Sequence, residues 1–323
     1  MRRIVVCDVG GTHARFGIAA LEAGRAANLS DVVTLQTREN PTFQTAWDEF
    51  GRRLGTALPP DLAIAFAGPI GGDALKLTNN PWIIHPALIR EALGVEQFSI
   101  VNDFGAVAWS VPWLGAGDFH HICGPTRPLP EDGVITIVGP GTGLGVAMLL
   151  RRADSEHVVV ETEGGHVDFA PLDPLEDRIL AELRTSFQRV SVERLVSGRG
   201  LSNIYQALGA IEDWPLKIQD ERALWSAALD GSDRFAAAAL DRFCLALGAI
   251  AGDLALAQGA HAVVIAGGVG LRLANHLRRS GFGERFIAKG RFERRMAEMP
   301  VKLITHPQPG LLGAAAVFAR EHP

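Results

Sequence analysis

Residues 133–150, GVITIVGPGTGLGVAMLL, decide how this chain is read. Ile135, Ile137 and Val138 lead into a stretch with glycine at every second position from Gly139 to Gly145, and Val146 to Leu150 then resume the apolar pattern. An apolar, β-branched run on each side of a glycine-rich break predicts strand, tight turn, strand. The same plan opens the chain: RRIVVCDVGGTHARFGIAAL, residues 2–21, runs into Asp8, breaks at Gly10-Gly11-Thr12 and resumes at Phe16. Two such pieces, one near the start of each half of 323 residues, predict a duplicated α/β fold with a cleft between related domains. The last segment, MPVKLITHPQPGLLGAAAVFAREHP, reads as a strand and helix that return to the first domain. The expected division is therefore 1–113 plus 304–323 for a small domain and 114–303 for a large one.

Between the two pieces, Phe43, Trp47, Phe50 and Leu54 recur at helical spacing and read as core. In the second half, PLEDRILAELRTSF and ALDRFCLALGAIAGDLALAQG read as helices, and AHAVVIAGGVG as a buried strand ending on Gly267-Gly268. The stretch SIVNDFGAVA, residues 99–108, ends a strand on Asn102-Asp103; taken alone, Asp103 reads as the N-cap of the helix that follows.

A net charge of -5 gives no electrostatic reason to bind nucleic acid or an anionic membrane. Cys7, Cys123 and Cys244 are far apart and form no C-x-x-C pair, which argues against a disulfide framework or a thiolate metal site and points to a reducing, cytoplasmic setting. No uncharged apolar run has the length of a membrane span, and the N-terminal run is too short for a secretory signal.

Glycine-rich turns after strands point to phosphate, and the type can be tested. None of Lys76, Lys217, Lys289 and Lys302 follows a glycine, which excludes Walker A. The 139–145 stretch leads into a strand where a dinucleotide fingerprint leads into a helix. The letters DFG at 103–105 lack the other kinase motifs. What remains is a pair of hairpins whose backbone N–H groups can surround a polyphosphate, with Thr12 and Thr142 adding hydroxyls. Asp8 is then placed to hold Mg2+ through water.

The ordered pieces DVGGTHARF, AFAGPI, LTNNPW, VNDFGAVA, GPGTGLGV, EGGHVDFAP, SVERLVSGRGL, VIAGGV and PGLLGAA make the chain resemble the bacterial glucokinases of the hexokinase, actin and Hsp70 superfamily. The resemblance implies two RNase H-like domains closing on ATP and glucose. It implies phosphate contacts at Gly10, Gly11, Thr12, Gly141, Thr142 and Gly143, and adenosine beside Gly267 and Gly268. It carries sugar contacts onto Asn102, Asp103, Glu163, His166 and Glu193, with Asp103 as the base that takes the proton of the 6-hydroxyl. Carboxylates that receive neighbouring hydroxyls, and an amide or imidazole that donates, suit a hexose. Relatives in the broader ROK group build a zinc site from a histidine in this region and following cysteines; GGHVDFAPLDPLED holds no cysteine, so zinc is not expected.

Cys7 and His13 stand where the family usually has Gly and Asn. The first bears on backbone approach, and the second adds a group that can become cationic near the nucleotide. The resemblance also implies a homodimer. Another hexose as substrate, or a catalytically silent hexose sensor, are the rival readings. A sugar-responsive repressor is disfavoured, because no helix-turn-helix precedes Asp8.

Overall fold

The computed structural model describes residues 1–22, 25–77, 80–153 and 156–323; Thr78 and Asn79 of the LTNNPW stretch lie outside the described residues. The first part of the chain runs β1 (Arg2–Val9), β2 (His13–Glu22), β3 (Arg25–Gln36), α1 (Phe43–Leu54), β4 (Asp61–Phe66), β5 (Leu75–Lys76), β6 (Ile83–Ile84), α2 (Ile89–Leu93), β7 (Gln97–Asn102) and α3 (Asp103–Ser110). It continues through β8 (Phe119–Cys123), β9 (Gly133–Pro140), β10 (Leu144–Arg151), β11 (Val158–Thr162), α4 (Pro174–Ser186), α5 (Gly198–Ile211), α6 (Glu221–Asp230) and α7 (Arg234–Ala257). The remainder is β12 (Ala262–Ile265), α8 (Gly267–Arg272), α9 (Ala274–Leu277), α10 (Phe282–Ile287), α11 (Glu293–Ala297), β13 (Val301–Ile304) and α12 (Pro309–Glu321). Two compact units result, Met1–Gly115 with His306–Pro323, and Ala116–Thr305.

In the first unit the strand order is β3-β2-β1-β4-β7, with β1, β2 and β3 antiparallel and β1, β4 and β7 parallel. Both faces of this sheet are covered, which is why DLAIAF in β4 is buried at every residue. Alternation along β1 sends Val5, Cys7 and Val9 to one face, with Phe16, Phe43, Trp47 and Phe50, and Ile4 and Val6 to the other, with Leu311, Ala314 and Phe318 of α12. Cys7 is thus a core residue on the face opposite Asp8, and burial, with the neighbouring Asp8 charge, pushes its thiol pKa well up. On the α12 face two helices touch backbone to backbone: a Cβ on Gly313 would fall 1.6 Å from the Ala106 carbonyl oxygen of α3.

The second unit has the order β11-β10-β9-β12-β13-β8. Its β9, β10 and β11 are antiparallel and β9, β12 and β13 parallel, so the plan of the first unit recurs, with β8 added antiparallel to β13. This repeated mixed sheet is the duplicated α/β arrangement that the paired hairpins predict, and it agrees with the RNase H-like domains that the family resemblance implies. Helix α7 anchors a core with Trp225, Leu240, Phe243, Leu247, Phe282 and Phe286. By length and mean hydropathy alone α7 passes for a membrane span, but Asp241, Arg242 and Asp253 interrupt it, so it is not an uncharged apolar run of that length, and 67% of the window is buried inside the unit, as in a core helix.

Candidate functional site

In the first unit the site is built at the ends of the parallel strands. Val9 of β1, Phe66 of β4 and Asn102 of β7 stand side by side in register. Adjacent strands are about 4.8 Å apart, so the end of β1 and the end of β7 lie roughly 10 Å from each other, a polyphosphate's scale. The chain leaving β4 is tied to the same edge, since Ala67 N–H donates to Val9 O at 2.9 Å.

The first hairpin closes with Gly10 N–H donating to His13 O at 2.9 Å. Its Gly11 carbonyl receives the Thr37 hydroxyl at 2.8 Å and the Asn80 amide at 3.1 Å. The second hairpin closes in the same way, with Gly141 N–H donating to Gly143 O at 2.8 Å. The leading glycine of each loop therefore spends its N–H on the turn itself. Among the described residues the N–H groups of Gly11, Thr12, Thr142 and Gly143 have no protein acceptor, and these are the four donors the loops can offer to a phosphate. Thr12 and Thr142 are exposed, as is His13 at the start of β2.

Asp8 lies opposite Arg15 across the first hairpin, and Arg15 NH1 reaches Asp8 Oδ2 at 3.2 Å. Burial raises the Asp8 pKa above its ordinary value, and Arg15, through its charge and hydrogen bond, offsets only part of the rise. The approach of α12 is close here, because a Cβ on Gly310 would sit 3.2 Å from Asp8 Oδ2. Among the described residues no three His, Cys, Asp or Glu side chains gather as metal ligands. One carboxylate beside the phosphate donors of the first hairpin does fit Mg2+, which commonly takes one or two carboxylates together with substrate phosphates and water.

The Asn-Asp pair differs from its sequence reading. Asn102 is the N-cap of α3: its Oδ1 accepts from Phe104 N at 2.9 Å and from Gly105 N at 3.1 Å, while its amide donates to Gly68 O at 3.3 Å. Asp103 is instead the first helical residue, and its Oδ1 accepts from Phe104 N at 2.8 Å. The cap moves back one residue because β7 runs through Asn102, whose extended ψ of 144° turns its side chain onto the first free N–H groups of the helix. Asp103 then stands in the first turn of α3, at the positive end of the helix.

In the second unit Gly267 leads α8 at φ +84°, and a Cβ there would lie 2.5 Å from Pro140 O, so only glycine permits the approach of α8 to the second hairpin. Gly268 beside it faces open space. Glu163 and His166 flank a short 3-10 turn, 4.0 Å apart, with side chains 79% and 56% exposed. Both are open to a ligand. Glu193 is on a separate 3-10 turn and accepts Leu144 N–H at 2.9 Å through Oε2.

Several partners escaped the sequence reading. Arg15 was recoverable, since a four-residue loop between Val9 and Ala14 places it directly across from Asp8. Gly198, whose N–H donates to Gly141 O at 2.7 Å, and Gly68, which holds Asn102, had no local signal because they act through backbone atoms.

A family model described as Glucokinase matches residues 5–321. The glucokinase of Zymomonas mobilis is 60% identical over 319 residues, which span 99% of this chain and 98% of that protein. Among solved structures, a glucokinase from an Antarctic psychrotroph superposes with a TM-score of 0.86 at 33% identity, covering 99% of both chains. A Balamuthia mandrillaris glucokinase in complex with glucose shares the fold, with a TM-score of 0.79 at 22% identity over 99% of this chain and 94% of that one.

Proposed function

The chain belongs to the glucokinase family, and from that premise we propose that it transfers the γ-phosphoryl group of ATP to the 6-hydroxyl of glucose. The observation that supports this most is the common strand-end edge of the first unit, where Asp8 and its hairpin share a register with Asn102-Asp103. A phosphate site and a carboxylate that can take a proton then belong to one rigid sheet, at a spacing suited to an alcohol attacking a terminal phosphate.

Asp103 is the general base in this reading. An alcohol becomes a good nucleophile as its proton leaves, and a carboxylate at the start of α3 is poised to accept it. Asn102 orients it by locking the first turn of the helix. Asp103, Glu163, His166 and Glu193 receive or donate the sugar's hydroxyl hydrogen bonds. The free N–H groups of Gly11, Thr12, Thr142 and Gly143 bind phosphate oxygens, and Gly267 and Gly268 border the adenosine. Mg2+, held through water by Asp8, would neutralise phosphate charge. Closure of the two units over both substrates would exclude water, which otherwise accepts the phosphoryl group.

The test is an ADP-release assay over glucose, mannose, fructose and N-acetylglucosamine. Glucose is expected to exceed each of the others in kcat/KM by about tenfold or more, the discrimination a hydrogen-bonding sugar site readily supplies. Preference for a different hexose would replace the substrate, and sugar binding without ADP release would replace the enzyme by a sensor.

A further inference from the structure

The two sugar-binding turns of the second unit meet the phosphate hairpin at one residue, Leu144, which directly follows Gly141-Thr142-Gly143. From one side Glu193 Oε2 accepts the Leu144 N–H at 2.9 Å. That carboxylate occupies the space a side chain on Gly143 would need, since a Cβ there would fall 2.4 Å from Oε2. From the other side the Glu163–His166 turn presses on the Leu144 carbonyl, with a Cβ on Gly165 only 2.0 Å from that oxygen. The two turns are joined behind it by Val192 N–H donating to Val167 O at 2.9 Å. A few residues past Glu193, Gly198 N–H grips Gly141 O at 2.7 Å, so the segment 193–198 holds both ends of the hairpin.

We propose that Glu193 is a positioning residue that couples sugar occupancy to the second phosphate hairpin, one carboxylate oxygen holding Leu144 N–H and the other receiving a sugar hydroxyl. The inference rests on the glucokinase reading and adds a link that sugar contact alone does not require. Among the described residues no protein donor reaches Glu193 Oε1, so that oxygen is available while Oε2 is engaged. A charge-assisted bond from a carboxylate to a backbone N–H is directional and strong, and a hydroxyl on the second oxygen fixes the carboxylate plane and with it the hairpin. An empty sugar site leaves the carboxylate held from one side only. By linkage, sugar tightens nucleotide binding and nucleotide tightens sugar binding by the same factor.

The test uses the full chain with glucose, ATP and the non-hydrolysable analogue AMPPNP, with thermal melts to establish folding. In the native protein, saturating glucose is expected to lower the AMPPNP Kd by about threefold or more. Gly143→Ala, a change in the nucleotide hairpin, is expected to displace the Glu193 carboxylate and raise the glucose KM by about tenfold, with loss of the glucose effect on AMPPNP. Glu193→Gln keeps an oxygen for Leu144 N–H, so its ATP KM should stay within about twofold of native while its glucose KM rises; Glu193→Ala should raise both by about tenfold. The proposal is overturned if Glu193→Ala leaves the ATP KM and the glucose effect unchanged, which makes Glu193 a sugar contact only, or if a folded Gly143→Ala raises the ATP KM alone. Should Gly143→Ala fail to fold, the contrast between glutamine and alanine at 193 decides. Absence of ADP release by the native protein with glucose would overturn the kinase reading and this coupling with it.

Discussion

Asp8 meets opposite demands. Burial favours its neutral form, and Arg15 offsets only part of that preference, so its pKa in the fold lies above the ordinary 3.8. An acid raised in this way stabilises the fold below its unfolded pKa and loses that contribution as pH rises through the folded pKa. At pH 7 Asp8 therefore costs stability in the ligand-free protein. Asp8→Asn is expected to melt at a higher temperature than the native protein at pH 7, with the difference vanishing below about pH 3.8, and to lose ATP turnover. Equal melting temperatures at pH 7 would mean that Arg15 compensates Asp8 in full. Asp103 carries a different prediction, since its proposed task is the proton and not the metal. Asp103→Asn should retain glucose and ATP binding by calorimetry yet lose turnover by about 100-fold or more. Near-native turnover would remove Asp103 from the chemistry.

Helix ends carry much of the local design. Asn102 caps α3, and Asp173 does comparable work for α4, in a part of the second unit remote in sequence from the hairpins. Asp173 Oδ1 accepts from Leu175 N and Glu176 N at 3.1 and 2.9 Å, and its Oδ2 accepts from Arg242 of α7 and Arg285 of α10, each at 2.6 Å. One carboxylate thus staples three helices. Burial pushes its pKa up, but the Glu176 N–H and the two guanidinium groups outweigh that and hold it below 3.8. A depressed acid contributes stability that is present above its unfolded pKa and lost as pH falls through the folded one. Asp173→Asn keeps a competent cap and loses the charge, so it should cost about 1.5–3 kcal/mol at pH 7. The gap between the two proteins should close as pH drops below about 3.8, and a gap independent of pH in chemical denaturation would refute the staple.

Both chain ends build the first unit. Arg2 donates to Asp61 at 2.8 Å, to Gln97, and to the carbonyl of His322 at 2.9 Å, and its guanidinium lies 4.7 Å from the Phe318 ring. Helix α12 covers Ile4, Val6, Ala63 and Ala65 with Leu311, Ala314, Ala315 and Phe318. A chain truncated after Thr305 would expose that face, so residues 1–115 should become protease-sensitive while 116–305, which has its own core, stays protected. Persistence of a protected 1–115 fragment would show that α12 is dispensable. The proposed closure also belongs to the whole chain, and saturating glucose should reduce the radius of gyration in small-angle scattering; an unchanged radius would sink it.

What the sequence determined by itself was the order of strands, turns and helices and the identity of the chemical groups. Alternation in β1, the unbroken apolar run of β4 and the glycine breaks at 10–11 and 139–145 are local patterns that backbone geometry reads directly. The aromatic spacing in α1 belongs with them, since Phe43, Trp47 and Phe50 are all buried. Local chemistry stopped short at the Asn102-Asp103 junction, where either residue can cap a helix and the end of β7 selects the first. Tertiary structure alone decided the partners. Glu193 meets Leu144 across 49 positions, Gly198 meets the carbonyl of Gly141, and Asn102 meets that of Gly68. Each of these contacts ends on a backbone atom, which every residue carries, so no side-chain pattern announces the partner until the chain is folded.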